Sequence, residues 1–333
     1  MANRNIKNYL NRLFNQEVLE KQEAKDIMSA IARGEVDSHQ TTALLTAFQM
    51  RRITGPELSG FREAMIDLAV KIDFSDLETI DIVGTGGDGK NTFNISTVTA
   101  FVVAGAGYKV AKHGNKGVSS PCGSSNVLEY LGYTFSKDYD KLRQDIETAN
   151  FCFFHAPFFH PAMKEVMPIR KALQVKTVFN IMGPLLNPSK PKHQFSGVYA
   201  AHILPLYKDV FEDMGINFGV VFAHDGYDEI SLTADFTIVN NNGSKTYNAS
   251  DLSLQTVLVE DLHGGNTVQE AAEIFTSILE GKGSPSQNHV VLTNAAFSIQ
   301  TFKPDQSFTS CFDEAKHSLE SGQARETLRL VTR

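Results

Sequence analysis

The chain has no tryptophan, only three cysteines, no apolar run near the length of a membrane span, and no excess of positive charge. Each shortage removes a class of protein. Cys122, Cys152 and Cys311 are odd in number, widely spaced and without a CxxC pair, so neither a zinc ribbon nor a disulfide framework is expected. Reduced thiols in a cytoplasm fit best. No stretch approaches the ~20 apolar residues of a membrane helix, and the opening MANRNIKNYLNRLF lacks the apolar core and cleavage site of a secretory leader. Net charge is −7, so a broad nucleic-acid-binding surface is not expected, and an anionic ligand must be held by local charge and backbone donors.

What is present is ordinary globular material: 333 residues, 42% hydrophobic and 21% charged, enough for one large or two ordinary domains with a real core. Residues 1 to about 72 read as helices, with Leu10, Leu13 and Phe14 on one apolar stripe and Ile27, Ala30 and Ile31 on another. QTTALLTAFQM is the most apolar segment there, and Gly55-Pro56 opens the next helix. The expected organisation is a small helical domain over 1–73 and a larger α/β domain over 74–333, with a central, mostly parallel sheet. Candidate strands are IDIV, YKVA, FCFF, SGVYA, FGVVFA and HVVL, alternating with helices over Thr97–Ala106, Asn126–Leu131, Tyr139–Ala149, Leu204–Met214, Val268–Leu279 and Asp313–Ser321. NNNGS reads as a hairpin tip. The segment 161–190 has helical spacing, and about 165–190 is expected to return to the helical domain, placing a cleft between the two domains.

The most informative stretch runs from Asp81 to Asn115, DIVGTGGDGKNTFNISTVTAFVVAGAGYKVAKHGN. An apolar strand breaks into a glycine turn, a helix follows, and a second strand ends in Lys112-His113-Gly114-Asn115. Bare backbone N–H groups, a helix N-terminus and a lysine at neighbouring strand ends suit phosphate. Gly84, Gly86 and Gly89 match G-x-G-x-x-G, but GAGYKVAKHG holds no acid where a ribose hydroxyl needs one. Gly84-x-x-x-x-Gly89-Lys90 opens like a P-loop, but position 91 is Asn and Asp88 faces the phosphates. A purely structural glycine turn does not require the acid or the helix-starting Asn94-Ile95-Ser96-Thr97.

Three further clusters carry chemistry. Lys112 through Ser120 form a basic, hydroxyl-rich loop suited to phosphate oxygens. In HAPFFHPAMKEVMPIRK, His155 and His160 read as core or cleft-lining residues rather than a metal pair, and Arg170 can fork a carboxylate or phosphate. Asp228-Glu229 follow the apolar strand FGVVFA, and magnesium favours one or two carboxylates plus substrate phosphates. Together these imply a magnesium-bound polyphosphate.

The order GTGGD, N-x-S-T, KHGN…SS, HPAMK…RK…FN…GP and a late Asp-Glu resembles the anthranilate phosphoribosyltransferase family of tryptophan biosynthesis, over essentially the whole chain. The resemblance implies a usually homodimeric enzyme, Mg2+ (two per subunit), and transfer of phosphoribosyl from phosphoribosyl pyrophosphate to the anthranilate amine. By position it implies that Gly84, Gly87, Asp88, Thr92, Asn94, Ile95, Ser96, Thr97, Lys112, His113, Gly114, Asn115, Lys116, Gly117, Val118, Ser119, Ser120 and Ser124 hold phosphoribosyl pyrophosphate. Gly84, Asn115 and Arg170 would hold anthranilate, with His113, Ala156, Pro157, His160 and Pro184 lining its pocket, and Ser96, Asp228 and Glu229 would be metal ligands. No residue is expected as general acid or base. Neither nucleic acid nor membrane is an expected partner. The departures from the family's pattern are Lys116-Gly117, which should loosen the loop; Cys122; Asn126, expected to cap a helix with Glu129; and His155. A nucleoside phosphorylase of the same fold and a non-catalytic nucleotide-binding relative are the alternatives.

Overall fold

The computed structural model describes residues 2–117 and 122–332. Four helices open it, Ala2–Phe14, Lys21–Ala32, Ser38–Arg51 and Gly55–Asp67. The last begins where the glycine-proline pair predicts, because Thr54 and Glu57 form a capping box around Pro56 in the first turn. Buried Glu57 also accepts from the Leu19 N–H at 2.9 Å and the Arg51 guanidinium at 2.6 Å, tying two loops together. At Gly60 a Cβ would lie 2.2 Å from the Lys21 carbonyl, so the glycine lets two helices pack backbone to backbone.

Val166, Val178, Phe179, Ile181, Met182, Leu185 and Leu186 bury their side chains in the same apolar cluster as these helices. The helix Leu204–Met214 adds Leu204, Tyr207, Val210 and Phe211 to that cluster, which reaches Phe218 and Val220 on the sheet.

The rest is a seven-stranded sheet: β1 (Thr79–Gly84), β2 (Lys109–Gly114), β3 (Phe151–His155), β4 (His193–Gly197), β5 (Asn217–Ala223), β6 (Phe236–Asn240) and β7 (Gly243–Tyr247). Its order is β3-β2-β1-β4-β5-β6-β7. The first five are parallel, and β6 and β7 add an antiparallel hairpin edge whose tip is the NNNGS segment. The protein is thus a small N-terminal helical domain with a larger α/β domain. The helix Ile95–Gly105 crosses from β1 to β2 and is buried along most of its length. Phe101 stacks on Phe151 with centroids 4.3 Å apart. No helix among the described residues is long and apolar enough to cross a membrane.

Two strand readings need correction. HVVL is helical, inside Pro285–Phe302. Ser284 caps that helix with Pro285 behind it, and its buried run from Val290 to Ile299 reads as strand only because a fully buried helix has no polar face. The SGVYA strand starts earlier, at His193, and ends at Gly197.

Candidate active site

Strand order decides where a ligand fits. The chain builds outward from β1 through β2 to β3, then returns to the other side of β1 as β4, so the order reverses between β1 and β4. In register, the last residues of these strands, Gly84 and Gly197, face each other. A Cβ on Gly197 would lie 1.5 Å from the Asp228 carbonyl oxygen, and one on Gly84 would lie 2.2 Å from Asp228 Oδ2. The glycine pair is therefore the seat on which Asp228 rests, at the carboxyl end of the sheet.

The glycine turn is built around that seat. Gly86, Gly87 and Gly89 have φ of 67°, 73° and 75°, left-handed values that side chains disfavour. The Gly86 N–H donates to Asp228 Oδ2 at 2.6 Å, and the Lys90 N–H donates to Asp88 Oδ1 at 3.0 Å. Lys176 donates to the Gly87 carbonyl at 2.6 Å. From the opposite side, Thr92 bridges to His263, the Phe93 N–H donates to the Leu262 carbonyl at 2.9 Å, and Asn91 Nδ2 donates to the Gly265 carbonyl at 2.9 Å. The helix that follows opens at Asn94-Ile95, and the Asn94 side chain donates to the Cys122 carbonyl at 3.1 Å. In its first turn the Ser96 N–H donates to Glu229 Oε1 at 2.8 Å, so a carboxylate already occupies the positive end of the helix. Thr97 is buried beside it.

Lys112 at the end of β2 is 1% exposed, and its ammonium donates to the Ile82 carbonyl and lies 3.5 Å from Ser96 Oγ. Burial lowers its pKa to about 8, against the pull of Asp81, Glu229 and Asp228. Burial pushes the Asp81 carboxyl up to about 6, and it accepts from the His113 N–H and from Asn187. Burial raises the Asp228 carboxyl, with Asp88 adding repulsion, and raises Glu229, with Asp228 adding repulsion. Among the described residues no three His, Cys, Asp or Glu side chains form a ready-made metal cluster. Two carboxylates and a hydroxyl, all hard oxygen donors, fit magnesium if substrate phosphate supplies the remaining ligands.

Beside the β2 end, His113 Nδ1 lies 3.2 Å from the Gly183 carbonyl next to buried Pro184, and its ring meets that of His160 edge-on at 5.2 Å. Burial, then His160, hold the His113 pKa well below the usual histidine range. His160 is 4% exposed, neither ring nitrogen makes a close hydrogen bond, and burial lowers its pKa to about 4, with the Leu186 backbone only partly offsetting this.

The depressed His160 pKa has a stability consequence. The unfolded chain takes up this proton near the ordinary histidine value and the folded chain near 4, so the contribution is present above the ordinary value and is lost as pH falls toward 4. His160→Gln is expected to make denaturant stability less acid-sensitive, by about 2 kcal/mol between pH 7 and pH 5. Parallel pH profiles of the two proteins would contradict this.

Arg170 sits on the helix Met163–Leu173, its guanidinium 5.5 Å from the Phe179 ring centre and 3.9 Å from the Met167 sulfur. Burial lowers its pKa, with no acidic neighbour offsetting it among the described residues. Ala156 and Pro157 begin the short helix after β3. His155 bonds Ser125 Oγ at 2.9 Å and stacks on Phe135, so here it braces the start of a helix.

The loop after Gly114 departs from expectation. Val118, Ser119 and Ser120 lie outside the described residues. Lys116 pairs with Glu129 at 2.9 Å, an exposed contact that is weakly held. Asn126 is not the N-cap residue paired with Glu129; it is the third residue of the helix and reaches back to the N-cap backbone. Gly123 precedes the helix Ser124–Tyr130, and Asn126 Oδ1 accepts from the Gly117 N–H at 2.9 Å and the Gly123 N–H at 3.0 Å. The Gly117 N–H is thus pinned. Ser124 Oγ donates to the Asn115 carbonyl at 3.3 Å.

The structure therefore brings the glycine loop, Ser96, Lys112 and the acid pair to one sheet end, with His113, His160 and Pro184 adjoining. Asp81, Lys176, Gly197 and the His263–Gly265 brace escape a reading of the sequence. Only Gly197 carried a signal, a glycine at a strand end where backbones approach closely.

A family model described as Glycosyl transferase family, a/b domain, matches residues 76–325, and one described as Glycosyl transferase family, helical bundle domain, matches residues 7–69. The anthranilate phosphoribosyltransferase of Cytophaga hutchinsonii is 48% identical over 324 residues, covering 97% of this chain and 99% of that protein. The crystal structure of anthranilate phosphoribosyltransferase from Thermus thermophilus superposes with a TM-score of 0.91 at 33% identity, covering 97% of this chain and 98% of that one. The enzyme from Saccharomyces cerevisiae, solved in complex with PRPP and Mg, gives 0.89 at 25% identity, covering 98% and 96%. Fold and relatedness over nearly the full length agree, and the chain belongs to the anthranilate phosphoribosyltransferase family of glycosyltransferases.

Proposed function

We propose that this chain transfers the phosphoribosyl group of phosphoribosyl pyrophosphate to the amine of anthranilate, releasing pyrophosphate, as a homodimeric cytoplasmic enzyme of tryptophan biosynthesis with two Mg2+ per subunit. The observation that carries the reading is the Asp228-Glu229 pair: it hydrogen-bonds both the glycine loop and the N-terminal turn of the following helix, at the sheet's switch point.

Ser96, Asp228 and Glu229 would hold the metal, which when bound neutralises and orients the leaving pyrophosphate. The glycine loop from Gly84 to Asp88, with Thr92, Asn94, Ile95 and Thr97, offers backbone and hydroxyl donors to the phosphates. Lys112, His113, Gly114, Asn115 and the loop through Ser124 hold the ribose phosphate. Arg170, which has no carboxylate partner among the described residues, pairs with that of anthranilate, and Gly84 and Asn115 complete its site. His113, Ala156, Pro157, His160 and Pro184 line the ring pocket.

The reaction is substitution at the anomeric carbon: the bond to pyrophosphate oxygen breaks, the bond to anthranilate nitrogen forms, and the proton on that nitrogen passes afterwards to water. An aryl amine is unprotonated at neutral pH, so the site needs no group to deprotonate it beforehand. The low pKa of both histidines keeps the ring pocket uncharged and spares the acceptor from a competing cation. Positioning then supplies most of the acceleration, a contribution that can reach about 7–11 kcal/mol.

Arg170→Ala is expected to raise KM for anthranilate about 100-fold, the cost of a lost bidentate charged contact, and to leave KM for phosphoribosyl pyrophosphate within about twofold. Steady-state kinetics in both substrates checks this. An equal rise in both would refute the assignment.

A further inference from the structure

The helix carrying Arg170 ends at Gln174, which takes a left-handed φ of 53°, and the chain then runs back toward the glycine loop. Lys176 lies in this return. Its ammonium donates to the Gly87 carbonyl at 2.6 Å and sits 3.8 Å from the Tyr199 ring centre, just past the end of β4. The return is exposed from Gln174 to Lys176 and anchored immediately after. The Thr177 N–H donates to Asn180 Oδ1 at 2.8 Å, and Val178 and Phe179 are buried in the core shared with the N-terminal helices. Phe179 also lies under the Arg170 guanidinium. One short stretch therefore carries both the acceptor-side arginine and a lysine bonded to the phosphate-side loop.

The contact is specific to its position. Gly86 and Gly89 have open space where a Cβ would be, whereas at Gly87 the one neighbour within reach is Lys176 Cε at 3.9 Å. Because a trans peptide is planar, drawing the Gly87 carbonyl toward Lys176 turns the Asp88 N–H to the opposite side. That N–H is one of the donors the loop can offer to a phosphate. The loop is thus held at two consecutive residues, by Asp228 on the Gly86 N–H and by Lys176 on the Gly87 carbonyl.

We propose that Lys176 is a positioning residue that fixes the Gly87–Asp88 peptide for phosphate and couples the acceptor half-site to the phosphoribosyl pyrophosphate half-site. The inference rests on the phosphoribosyl-transfer reading. Lys176 touches neither reacting atom. It acts through the loop, and movement of the Arg170 segment on acceptor binding is transmitted to Gly87 through it. Tyr199 holds the ammonium by a cation–π contact while it does so.

The test compares Lys176→Met, which keeps the stem but removes the donor, with Lys176→Arg, which keeps the charge and donors. Binding of phosphoribosyl pyrophosphate with Mg2+ is measured by calorimetry, and KM for anthranilate is measured at low and saturating phosphoribosyl pyrophosphate. Lys176→Met is expected to weaken phosphoribosyl pyrophosphate about fivefold, the upper end for an exposed charged contact. It should also make KM for anthranilate independent of donor occupancy, with Tm within about 2 °C of the parent. Lys176→Arg should restore both. Donor affinity within twofold of the parent in Lys176→Met would overturn the proposal, as would a loss shared by both variants with a lowered Tm, which marks a merely structural role. Failure of the unaltered protein to bind phosphoribosyl pyrophosphate would instead sink the functional reading, and this inference with it.

Discussion

Replacing Asp228 by Asn together with Glu229 by Gln is expected to lower Mg2+-dependent kcat/KM by about 10³-fold or more, the scale on which charge stabilisation of a leaving group contributes. The double change is nearly isosteric. Each amide keeps an oxygen to accept from the Gly86 and Ser96 N–H groups, so the loop and the helix start keep their partners. What is lost is negative charge, which the site holds at a cost. Burial raises both carboxyl pKa values, with repulsion from Asp88 added at Asp228 and from Asp228 added at Glu229, and a buried carboxylate without a cation is unfavourable. The metal-free variant should therefore be at least as stable to denaturant as the parent while losing turnover. Activity titrated against Mg2+, alongside denaturant melts, checks both halves. Survival of more than a tenth of the activity would place the metal elsewhere.

Gly197→Ala is expected to do comparable damage without touching a substrate. Its Cβ would fall 1.5 Å from the Asp228 carbonyl oxygen and 2.3 Å from the Asp228 carbonyl carbon, both backbone atoms that cannot swing aside like a side-chain tip. Gly197 is also paired with Gly84 in the parallel ladder, so the strand end cannot retreat without breaking register. The Asp228-Glu229 segment must move instead, by more than an ångström. A misplacement of about 1 Å alone costs on the order of 10² in rate, and here both proposed ligands and the Gly86 contact shift together. The expected outcome is a loss of about 10³-fold in kcat/KM and weaker Mg2+ dependence, with the far-ultraviolet circular dichroism of the fold retained. Activity within tenfold of the parent would show that the seat is more yielding than its geometry implies.

The parts of the site that stand out in the sequence are those where local pattern and chemistry coincide. The glycine turn, the KHGN end of β2 and Asp228-Glu229 each break an apolar run with residues no core would choose, and the backbone places all three at the same sheet end. HVVL misleads for the opposite reason. A helix buried on every side has no polar period, so two adjacent valines outweigh the Ser284-Pro285 start signal. Asn126 looks like an N-cap from its neighbours, yet it sits three residues into the helix, where its carboxamide oxygen takes the N-cap N–H of Gly123 and also the N–H of Gly117 from the preceding loop. Lys176 and Gly197 matter because of what lies across from them. Gly87 and Asp228 are remote in the chain, and only strand order and the return from the Arg170 helix bring them together.

The reaction itself is read most directly by the loss of anthranilate fluorescence on adding phosphoribosyl pyrophosphate. Rapid loss that requires Mg2+, is matched by pyrophosphate release, and is strongly slowed in Arg170→Ala at low anthranilate is the expected result. Unchanged fluorescence in a protein that still binds phosphoribosyl pyrophosphate with Mg2+ would contradict it, leaving the phosphate half of the site with a different acceptor.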